Sequence, residues 1–408
     1  MKVGFLSSFD SGDPEAISGM PHSMRLALKA QGCRIFPFFP LENRRKWHQR
    51  ARSRMARFVP PPIKDVLKRF LGLTSLVLAA SEHVDDETLY RRTCEEASRA
   101  SREIRDRVRG RDLDVLFGCC ISVVLCEMDV DVPIVYFSDT TTRLIFETYP
   151  NLRSQPEGFR RACEEIERQA MARASMAVFA TEVARRSAIH DYGVPPDRAF
   201  AVPMGANITV GQAEPDPRTA WTPSRDVIRL VMTAADPVRK QLDLVIDTVD
   251  VMRRLGWGAE LELIGPPTPR AMAHPHVHCL GRLSLATASG RQQNGEALRR
   301  SHLMILPSLA EAFGIAPCEA ALVGKPSIVS AAGGLPEVVS HGATGIVMKV
   351  GSTAEEYARA IIELAGQPDR YREMANAAMV RARANFTWER WGERLVGIMG
   401  RARSDQGR

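Results

Sequence analysis

The segment LMILPSLAEAFGIAPCEAALVGKPSIVSAA, residues 303–332, has the pattern of a strand, a helix and a second strand. LMILPS is an apolar run of strand length, and Pro317 is suited to the start of a helix. Gly324 and Pro326 are residue types that end helices, and SIVSAA is a second short apolar run. A strand, a helix and a strand in succession form the βαβ unit of a parallel sheet, so the segment predicts an α/β fold.

The same alternation of strand-like runs and helical patterns extends along most of the 408 residues. It stops after about residue 206, at a stretch rich in proline, threonine and acidic residues that is typical of a linker, and it resumes at residue 227. We therefore expect two doubly wound, Rossmann-like parallel sheets that face each other across a cleft. Ligands of such sheets lie beyond the carboxyl ends of the strands, which predicts a cleft lined by the loops after residues 8, 139, 235, 308 and 332.

One long segment departs from this alternation. Residues 41–110 contain a basic stretch and a long charged helix, which we interpret as an insertion into the first domain. Within it, residues 44–57 (RRKWHQRARSRMAR) are mostly basic, with Trp47 and Met55 interleaved. This basic stretch either contacts an anionic membrane peripherally or is a solvated loop.

The composition limits the classes of protein to consider. Lys and Arg total 55 against 48 Asp and Glu, a net charge of +7, which favours anionic ligands. Hydrophobic residues make up 45% and charged residues 25%, as in a globular protein rather than a disordered or fibrous one. Neither a secretory leader pattern nor a run of about 18 uncharged apolar residues is found, so we expect a cytoplasmic protein. The eight cysteines lack zinc-type spacing and indicate reduced thiols.

Two glutamates, Glu311 and Glu319, stand before and within the helix of the opening segment. The mouth of a helix has free N–H groups and a partial positive charge, and it therefore favours anions. A carboxylate nearby can accept hydrogen bonds from paired hydroxyls, such as those of a sugar or a ribose. The alternative is that Glu319, in the first turn, only caps the helix and that Glu311 is solvated.

Arg239 and Lys240 stand between a strand and a helix, in the segment ADPVRKQLDLVIDTV. Cations at the start of a helix are unfavourable unless an anion compensates them, so the pair predicts a diphosphate site rather than a solvated first turn. Gly333 and Gly334 allow backbone to approach a ligand before another short helix, although a plain tight turn is the competing interpretation. Gly19 precedes a helix of the first domain in the same way.

Together these features resemble the retaining glycosyltransferases of family 4, which have the two-domain GT-B fold. The resemblance covers nearly the whole chain and is most specific between residues 304 and 350; it includes the glycine loop near Gly19, VYFSDTTT, FATEVARRSAIHDYGVPPDRAFAVPMGAN and the VRK element. With it we expect an acceptor-side domain over residues 1–206 and a nucleotide-sugar donor domain over residues 207–385. Residues 386–408 would form a helix that crosses back to the first domain, followed by a disordered tail.

The resemblance also implies a role for individual residues. It implies catalytic roles for Arg239 and Lys240 at the donor diphosphate, for Glu311 at the donor sugar, and for Asp139 near the reacting centre. Further donor contacts are implied for Gly19, Phe313, Gly314, Ile315, Glu319 (at the ribose), Gly334, Leu335 and Arg282.

The chain departs from the family pattern at three places. Family members often have glycine where this chain has Gln241, and many have arginine where it has Ala234. Others have a histidine where this chain has Ser138 followed by Asp139. We therefore expect a different grip on the phosphates, and any role of that histidine passes to a carboxylate or is absent.

The predicted activity is that of a retaining, hexosyltransferase-type enzyme that moves a sugar from a nucleoside diphosphate sugar to an acceptor hydroxyl. The expected donor is a UDP-sugar, with a GDP-sugar as the alternative, and the acceptor is a glycan, a glycolipid or a small molecule. No metal or other cofactor is expected, because Arg239 and Lys240 supply positive charge, and no nucleic acid partner is expected. Two alternatives stay open: a nucleotide-sugar epimerase or hydrolase on the same fold, and a non-enzymatic protein that binds through its basic surface.

Overall fold

The computed structural model describes residues 1–7, 11–13, 19–38, 85–208 and 226–406. The basic stretch 44–57 and most of the expected linker lie outside these residues. The chain divides into two compact units, the first formed by Met1–Pro203 with Trp391–Arg408 and the second by Met204–Arg390. The chain therefore passes from unit 1 to unit 2 once and returns once.

The sheet of unit 1 has six parallel strands: β1 (Lys2–Ser7), β2 (Arg34–Phe38), β3 (Val115–Cys119), β4 (Ile134–Ser138), β5 (Met176–Phe179) and β6 (Ala199–Ala201). They are arranged in the order β2-β1-β3-β4-β5-β6. β3, β4 and β5 are buried along their whole length, which is why they occur in the sequence as continuous apolar runs. The strand order reverses between β1 and β3, where Val3 lies opposite Val115, and this is the topological switch point of the unit.

Helices connect these strands: α1 (Met20–Ala30), α2 (Asp86–Val108), α3 (Ser122–Leu125), α4 (Thr142–Thr148), α5 (Pro150–Arg153), α6 (Glu157–Arg173) and α7 (Glu182–His190). α2 packs closely on α6, since a Cβ atom on Gly158 would lie 1.8 Å from the carbonyl oxygen of Asp86. It lies in the chain between the parallel strands β2 and β3, where a crossover helix is required. The expectation of an insertion over 41–110 is therefore wrong for Asp86–Val108.

The sheet of unit 2 also has six parallel strands: β7 (Ile228–Thr233), β8 (Ala259–Ile264), β9 (Val277–Gly281), β10 (Leu303–Leu306), β11 (Ser327–Ser330) and β12 (Gly345–Met348). Their order is β12-β11-β10-β7-β8-β9, so the direction of winding reverses between β7 and β10. Leu303 of β10 lies opposite Leu230 of β7. Both sheets are doubly wound, as the sequence predicts, and the loops after β7 and β10 meet at the switch point of unit 2.

The helices of unit 2 are α8 (Leu242–Arg254), α9 (Pro269–Ala273), α10 (Ala288–Arg300), α11 (Ile315–Leu322), α12 (Leu335–Val338), α13 (Ala354–Ala365) and α14 (Pro368–Asn385). α8 begins after Gln241, whose φ of 56° lies in the left-handed region that favours glycine. Apolar side chains of α8 and α13, including Val245, Ile246 and Ile361, pack into one core with those of the sheet.

The last helix, α15 (Trp388–Gln406), belongs to unit 1 from Trp391 onward. Trp391 is fully buried, and its ring centroid lies 6.0 Å from that of Phe117 and 5.8 Å from that of Phe137. These edge-on aromatic contacts attach the end of the chain to the core around β3 and β4.

Two further sequence predictions concern the cysteines and the membrane. All eight cysteines are free, so the prediction of reduced thiols is confirmed. Within the described ranges, no helix combines the length and the apolar character that a membrane span requires.

Candidate functional site

Charged side chains from the loops after β7 and β10 meet at the switch point of unit 2. Arg239 and Lys240 follow β7, and Glu311 follows β10. The carboxylate of Glu311 is shared between the two cations: its Oε1 lies 2.9 Å from Nη1 of Arg239 and 3.4 Å from Nζ of Lys240. The three side chains are 11–19% exposed, so this is a largely desolvated ion cluster. The alternative of a solvated Glu311 is therefore wrong.

The backbone around these residues holds the cations in place. Nζ of Lys240 donates to the carbonyl oxygen of Thr233 at 3.0 Å, and the guanidinium of Arg239 donates to that of Ala310. Asp236 accepts a hydrogen bond from the backbone N–H of Arg239 at 3.1 Å, and its Oδ2 lies 3.6 Å from Nε of Arg239. Each cation is thus fixed both by an acid and by a backbone carbonyl.

The electrostatics of the cluster favour the ionised form of Glu311. Burial by itself raises the pKa of this carboxyl, but the charges of Arg239 and Lys240 and the hydrogen bonds from Arg239 and Ser308 lower it to about 2. Burial lowers the pKa of Lys240, and the neighbouring charge of Glu311 opposes that effect. Glu311 is therefore ionised at neutral pH, with Arg239 and Lys240 beside it.

The mouth of α11 lies directly after Glu311 in the chain. Gly314 has a φ of 106°, which favours glycine, and a Cβ atom on it would lie 2.6 Å from Cδ2 of Leu335. The helix starts at Ile315, so the N–H groups of its first turn have no acceptor within the helix, and Pro317 contributes none. Backbone N–H groups without an intrahelical acceptor therefore follow Glu311 closely in the chain, from Ile315 onward, and Ile315 belongs to the segment 313–315 that the sequence indicates.

Gly333 and Gly334 contact the backbone of Glu311. A Cβ atom on Gly333, which has a φ of 52°, would lie 1.7 Å from the carbonyl oxygen of Glu311. The N–H of Gly334 donates to the same carbonyl at 3.3 Å. The close approach that these glycines permit is to the backbone of Glu311, so they fix the position of that residue.

Glu319 is the fifth residue of α11, one position beyond the first turn. The expected place in the first turn is wrong because Gly314, rather than Pro317, sets the start of the helix. The buried carboxylate accepts a hydrogen bond from the backbone N–H of Asn207 at 3.2 Å and another from the side chain of Asn294. Glu319 does not cap its own helix. Burial raises its pKa from 4.5 to about 7, although both hydrogen bonds and the charge of Lys240 oppose this.

The remaining residues with expected roles are not members of the ion cluster. Leu335 is buried and packs at Gly314. Arg282 is exposed and follows β9, which is separated from β7 by β8, so it is not part of the ion cluster. In unit 1, Gly19 precedes α1 with a φ of 76°, and Asp139 follows β4 and is fully buried.

Sequence reasoning missed four residues of the site: Asp236, Ser308, Asn207 and Asn294. Asp236 had a usable signal, because an acid three residues before Arg239 can pair with that cation. Ser308, whose Oγ donates to Oε1 of Glu311 at 3.1 Å, had the same three-residue spacing. Asn207 and Asn294 are distant from Glu319 in sequence and had no local signal. Over the described residues, no three His, Cys, Asp or Glu side chains group as metal ligands.

Solved structures of other proteins share this fold. Sucrose-phosphate synthase of Thermosynechococcus elongatus is similar in structure, with a TM-score of 0.68 over 99% of this chain and 100% of that chain at 14% identity. HepE of Anabaena in complex with UDP-glucose gives a TM-score of 0.61 over 98% and 99% at 14% identity. The fold is GT-B. At these identities the similarity is one of fold alone.

Part of unit 2 also matches known proteins in sequence. Residues 234–381 match the family model described as glycosyl transferases group 1, and they include the ion cluster, α11 and Glu319. The D-inositol 3-phosphate glycosyltransferase of Nocardia farcinica is 28% identical over 245 residues, 56% of this chain and 53% of that protein. Its counterpart in Rhodococcus erythropolis is 26% identical over 248 residues, 58% and 56%. The matched region spans about half the length of these curated relatives.

The environment of Glu319 predicts that its ionisation destabilises the GT-B fold. The pKa of Glu319 is about 7 in the folded chain against 4.5 for the unperturbed carboxyl, so the folded chain keeps its proton up to a higher pH. The stability that this proton contributes is fully present below pH 4.5 and is lost as the pH rises through 7. Glu319→Gln removes this loss. The unfolding free energy of Glu319→Gln minus that of the natural chain should increase by on the order of 2 kcal/mol from pH 5 to pH 8.

Urea unfolding at the two pH values measures this difference. Glu355→Gln is the matched control, because the Glu355 side chain is 58% exposed on α13. If Glu319→Gln changes the unfolding free energy by the same amount at pH 5 and at pH 8, the claim that ionisation of buried Glu319 destabilises the fold is contradicted.

Proposed function

We propose that this protein is a glycosyltransferase that moves a glycosyl unit from a nucleoside diphosphate sugar to an acceptor hydroxyl. The observation that carries the proposal is the Glu311 carboxylate bound to both Arg239 and Lys240, beside the open mouth of α11, at the switch point of a doubly wound sheet. The match of residues 234–381 to group 1 glycosyl transferases supports it. An isolated basic turn or an isolated helix mouth would not have this combination.

The diphosphate of the donor fits the cationic side of the cluster. Arg239 offers a planar fork of N–H donors and Lys240 a compact charge, and both are already desolvated and fixed. As the bond to the sugar breaks, negative charge accumulates on the phosphate that leaves. Preorganised cations stabilise this charge more than they stabilise the bound donor, which is the condition for acceleration.

The two glutamates suit the two ends of such a donor. Glu311, held ionised at a pKa of about 2, accepts hydrogen bonds from sugar hydroxyls while the N–H groups at Ile315 and Ala316 face anionic oxygens. Glu319 accepts hydrogen bonds from the ribose hydroxyls. We propose a UDP-sugar as the donor, since HepE, which shares the fold, is solved with UDP and with UDP-glucose.

We further propose that transfer proceeds with retention of configuration. Attack from the same face as the departing phosphate needs no pair of enzymic carboxylates around the anomeric carbon, and a phosphate oxygen can take the proton of the acceptor hydroxyl. The acceptor, which is a glycan, a glycolipid or a small molecule, is bound by unit 1, where Asp139 follows β4. The curated relatives are named for D-inositol 3-phosphate, which makes this compound the first acceptor to test.

The contribution of Lys240 to catalysis gives the most specific test. Lys240→Ala should lower kcat by roughly 100-fold or more, because the charge that it faces grows in the transition state. Glu319→Ala should chiefly raise the KM for the donor, because ribose hydroxyls do not change as the sugar departs. Steady-state kinetics with a donor identified in a thermal-shift panel of nucleoside diphosphate sugars measures both effects.

The exposed Arg254→Ala on α8 is the control and should keep full activity, and circular dichroism checks the fold of each variant. Lys240→Ala with an unchanged kcat, or Glu319→Ala with a loss of kcat alone, would contradict the assigned roles. Donor turnover that is independent of any acceptor would favour an epimerase or hydrolase on the same fold.

Transfer should also persist after chelation of divalent metals. Arg239 and Lys240 supply the positive charge that a metal ion supplies at other diphosphate sites. The rate in EDTA should therefore stay within about twofold of the rate with added Mg²⁺ or Mn²⁺. Complete loss in EDTA that Mg²⁺ or Mn²⁺ restores would show that leaving-group stabilisation is assigned to the wrong groups.

A further inference from the structure

The carboxylate of Glu319 is held by residues far from it in sequence. The backbone N–H of Asn207 donates to Oε1 at 3.2 Å, and the side chain of Asn294, on α10, donates a second hydrogen bond. Glu319 and Asn294 are both buried. A carboxylate has about four acceptor positions, so these two donors fix its orientation and leave positions for a pair of ligand hydroxyls.

Asn207 is itself fixed by the start of α15. The indole N–H of Trp388 donates to Oδ1 of Asn207 at 3.0 Å, and the N–H of Ala206 donates to the carbonyl oxygen of Phe386 at 2.9 Å. A Cβ atom on Gly205 would lie 2.3 Å from the backbone nitrogen of Trp388. Residues 205–207 are thus bound along residues 386–388, and we name this arrangement the Trp388–Asn207 clamp.

The clamp connects three segments of unit 2 in a line of hydrogen bonds. The Trp388 indole fixes the Asn207 side chain, and the Asn207 backbone N–H fixes the Glu319 carboxylate. Phe386 also packs edge-on against Phe313, with ring centroids 6.2 Å apart, so the same segment contacts the residue before the mouth of α11. Loss of the indole N–H would remove the hydrogen bond to the Asn207 side chain without removing the aromatic ring that packs there.

We propose that the Trp388–Asn207 clamp positions Glu319 for a vicinal pair of ribose hydroxyls and thereby makes the site select a ribonucleotide over a 2′-deoxyribonucleotide. The inference rests on the proposed function, because it concerns the nucleoside end of the same donor. Trp388 and Asn207 are positioning residues that act through Glu319. A carboxylate with a fixed orientation accepts both hydroxyl hydrogens at once, whereas one that rotates loses part of this bonding.

The test compares the binding of UDP and 2′-deoxy-UDP by isothermal titration calorimetry to the full chain. The natural chain should bind UDP on the order of tenfold more tightly, as one hydrogen bond to a charged acceptor contributes. Trp388→Phe, which keeps the ring and deletes the N–H, should raise the Kd for UDP by roughly three- to tenfold. It should leave the Kd for 2′-deoxy-UDP within about twofold, so the preference for ribose falls.

Two further variants complete the experiment. Asn207→Ala keeps the backbone N–H but removes the acceptor of the indole, and it should reproduce the effect of Trp388→Phe if that variant folds poorly. Trp391→Phe, in the core of unit 1, is the matched control and should change neither Kd. Circular dichroism and thermal unfolding establish that each variant is folded.

The other outcomes overturn the inference in distinguishable ways. If Trp388→Phe raises the Kd for UDP and the Kd for 2′-deoxy-UDP equally, the indole acts only through packing. If neither Kd changes, the position of Asn207 does not depend on the indole. A natural chain that binds UDP without preference for ribose contradicts the inference and leaves the proposed function standing. A natural chain that binds none of UDP, GDP and ADP contradicts both. If GDP or ADP binds in place of UDP, its 2′-deoxy form replaces 2′-deoxy-UDP in the same comparison.

Discussion

The carboxylate of Glu311 forms the interaction on which the ion cluster of unit 2 depends. Arg239 and Lys240 are adjacent in sequence and largely removed from water, so their charges repel each other unless an anion lies between them. One oxygen of Glu311 contacts both. Its position is set by Ser308 at its side chain and by Gly333 at its carbonyl oxygen, and the latter contact excludes any side chain at residue 333. The cluster therefore ties together the loops after β7, β10 and β11.

Glu311, in the loop before α11, and Glu319, within α11, show how the environment gives identical side chains different pKa values. Glu319 is buried and the side chain of Glu311 is only 12% exposed, yet the pKa of Glu311 is about 2 and that of Glu319 about 7. Glu311 has two cations in contact, whereas Glu319 has hydrogen bonds from Asn207 and Asn294 and only a weaker influence of Lys240. Under the proposed function, Glu311, which is ionised at neutral pH, lies where the bond to the sugar breaks. Glu319, which changes its charge near pH 7, lies at the ribose.

The parts of this structure that local patterns encode were predictable from the sequence. The parallel strands, the helix after Glu311 and the cations after β7 all follow from runs of a few residues, and the structure contains each of them. The sequence predicts a start near Pro317, whereas α11 begins at Ile315 after Gly314. A Cβ atom on Gly314 would lie 2.6 Å from Cδ2 of Leu335 on α12, a neighbour that no local pattern shows. The contact of Gly333 with the backbone of Glu311 has no local signal either, because the two residues follow different strands. Asn207 and Trp388 are 181 positions apart, and no local pattern joins them.

The most direct measurement of this account is a double-mutant cycle between Glu311 and Lys240. The unfolding free energies of Glu311→Gln, Lys240→Met and the double variant are determined with urea at pH 7. Glu311→Gln alone should cost roughly 3–5 kcal/mol, because it leaves the buried Lys240 without an acid and Arg239 with Asp236 alone. In the Lys240→Met background the same change should cost at least about 1 kcal/mol less, because one of those cations is gone. Additive effects of the two changes, within about 0.5 kcal/mol, would contradict the claim that one carboxylate holds the cluster together.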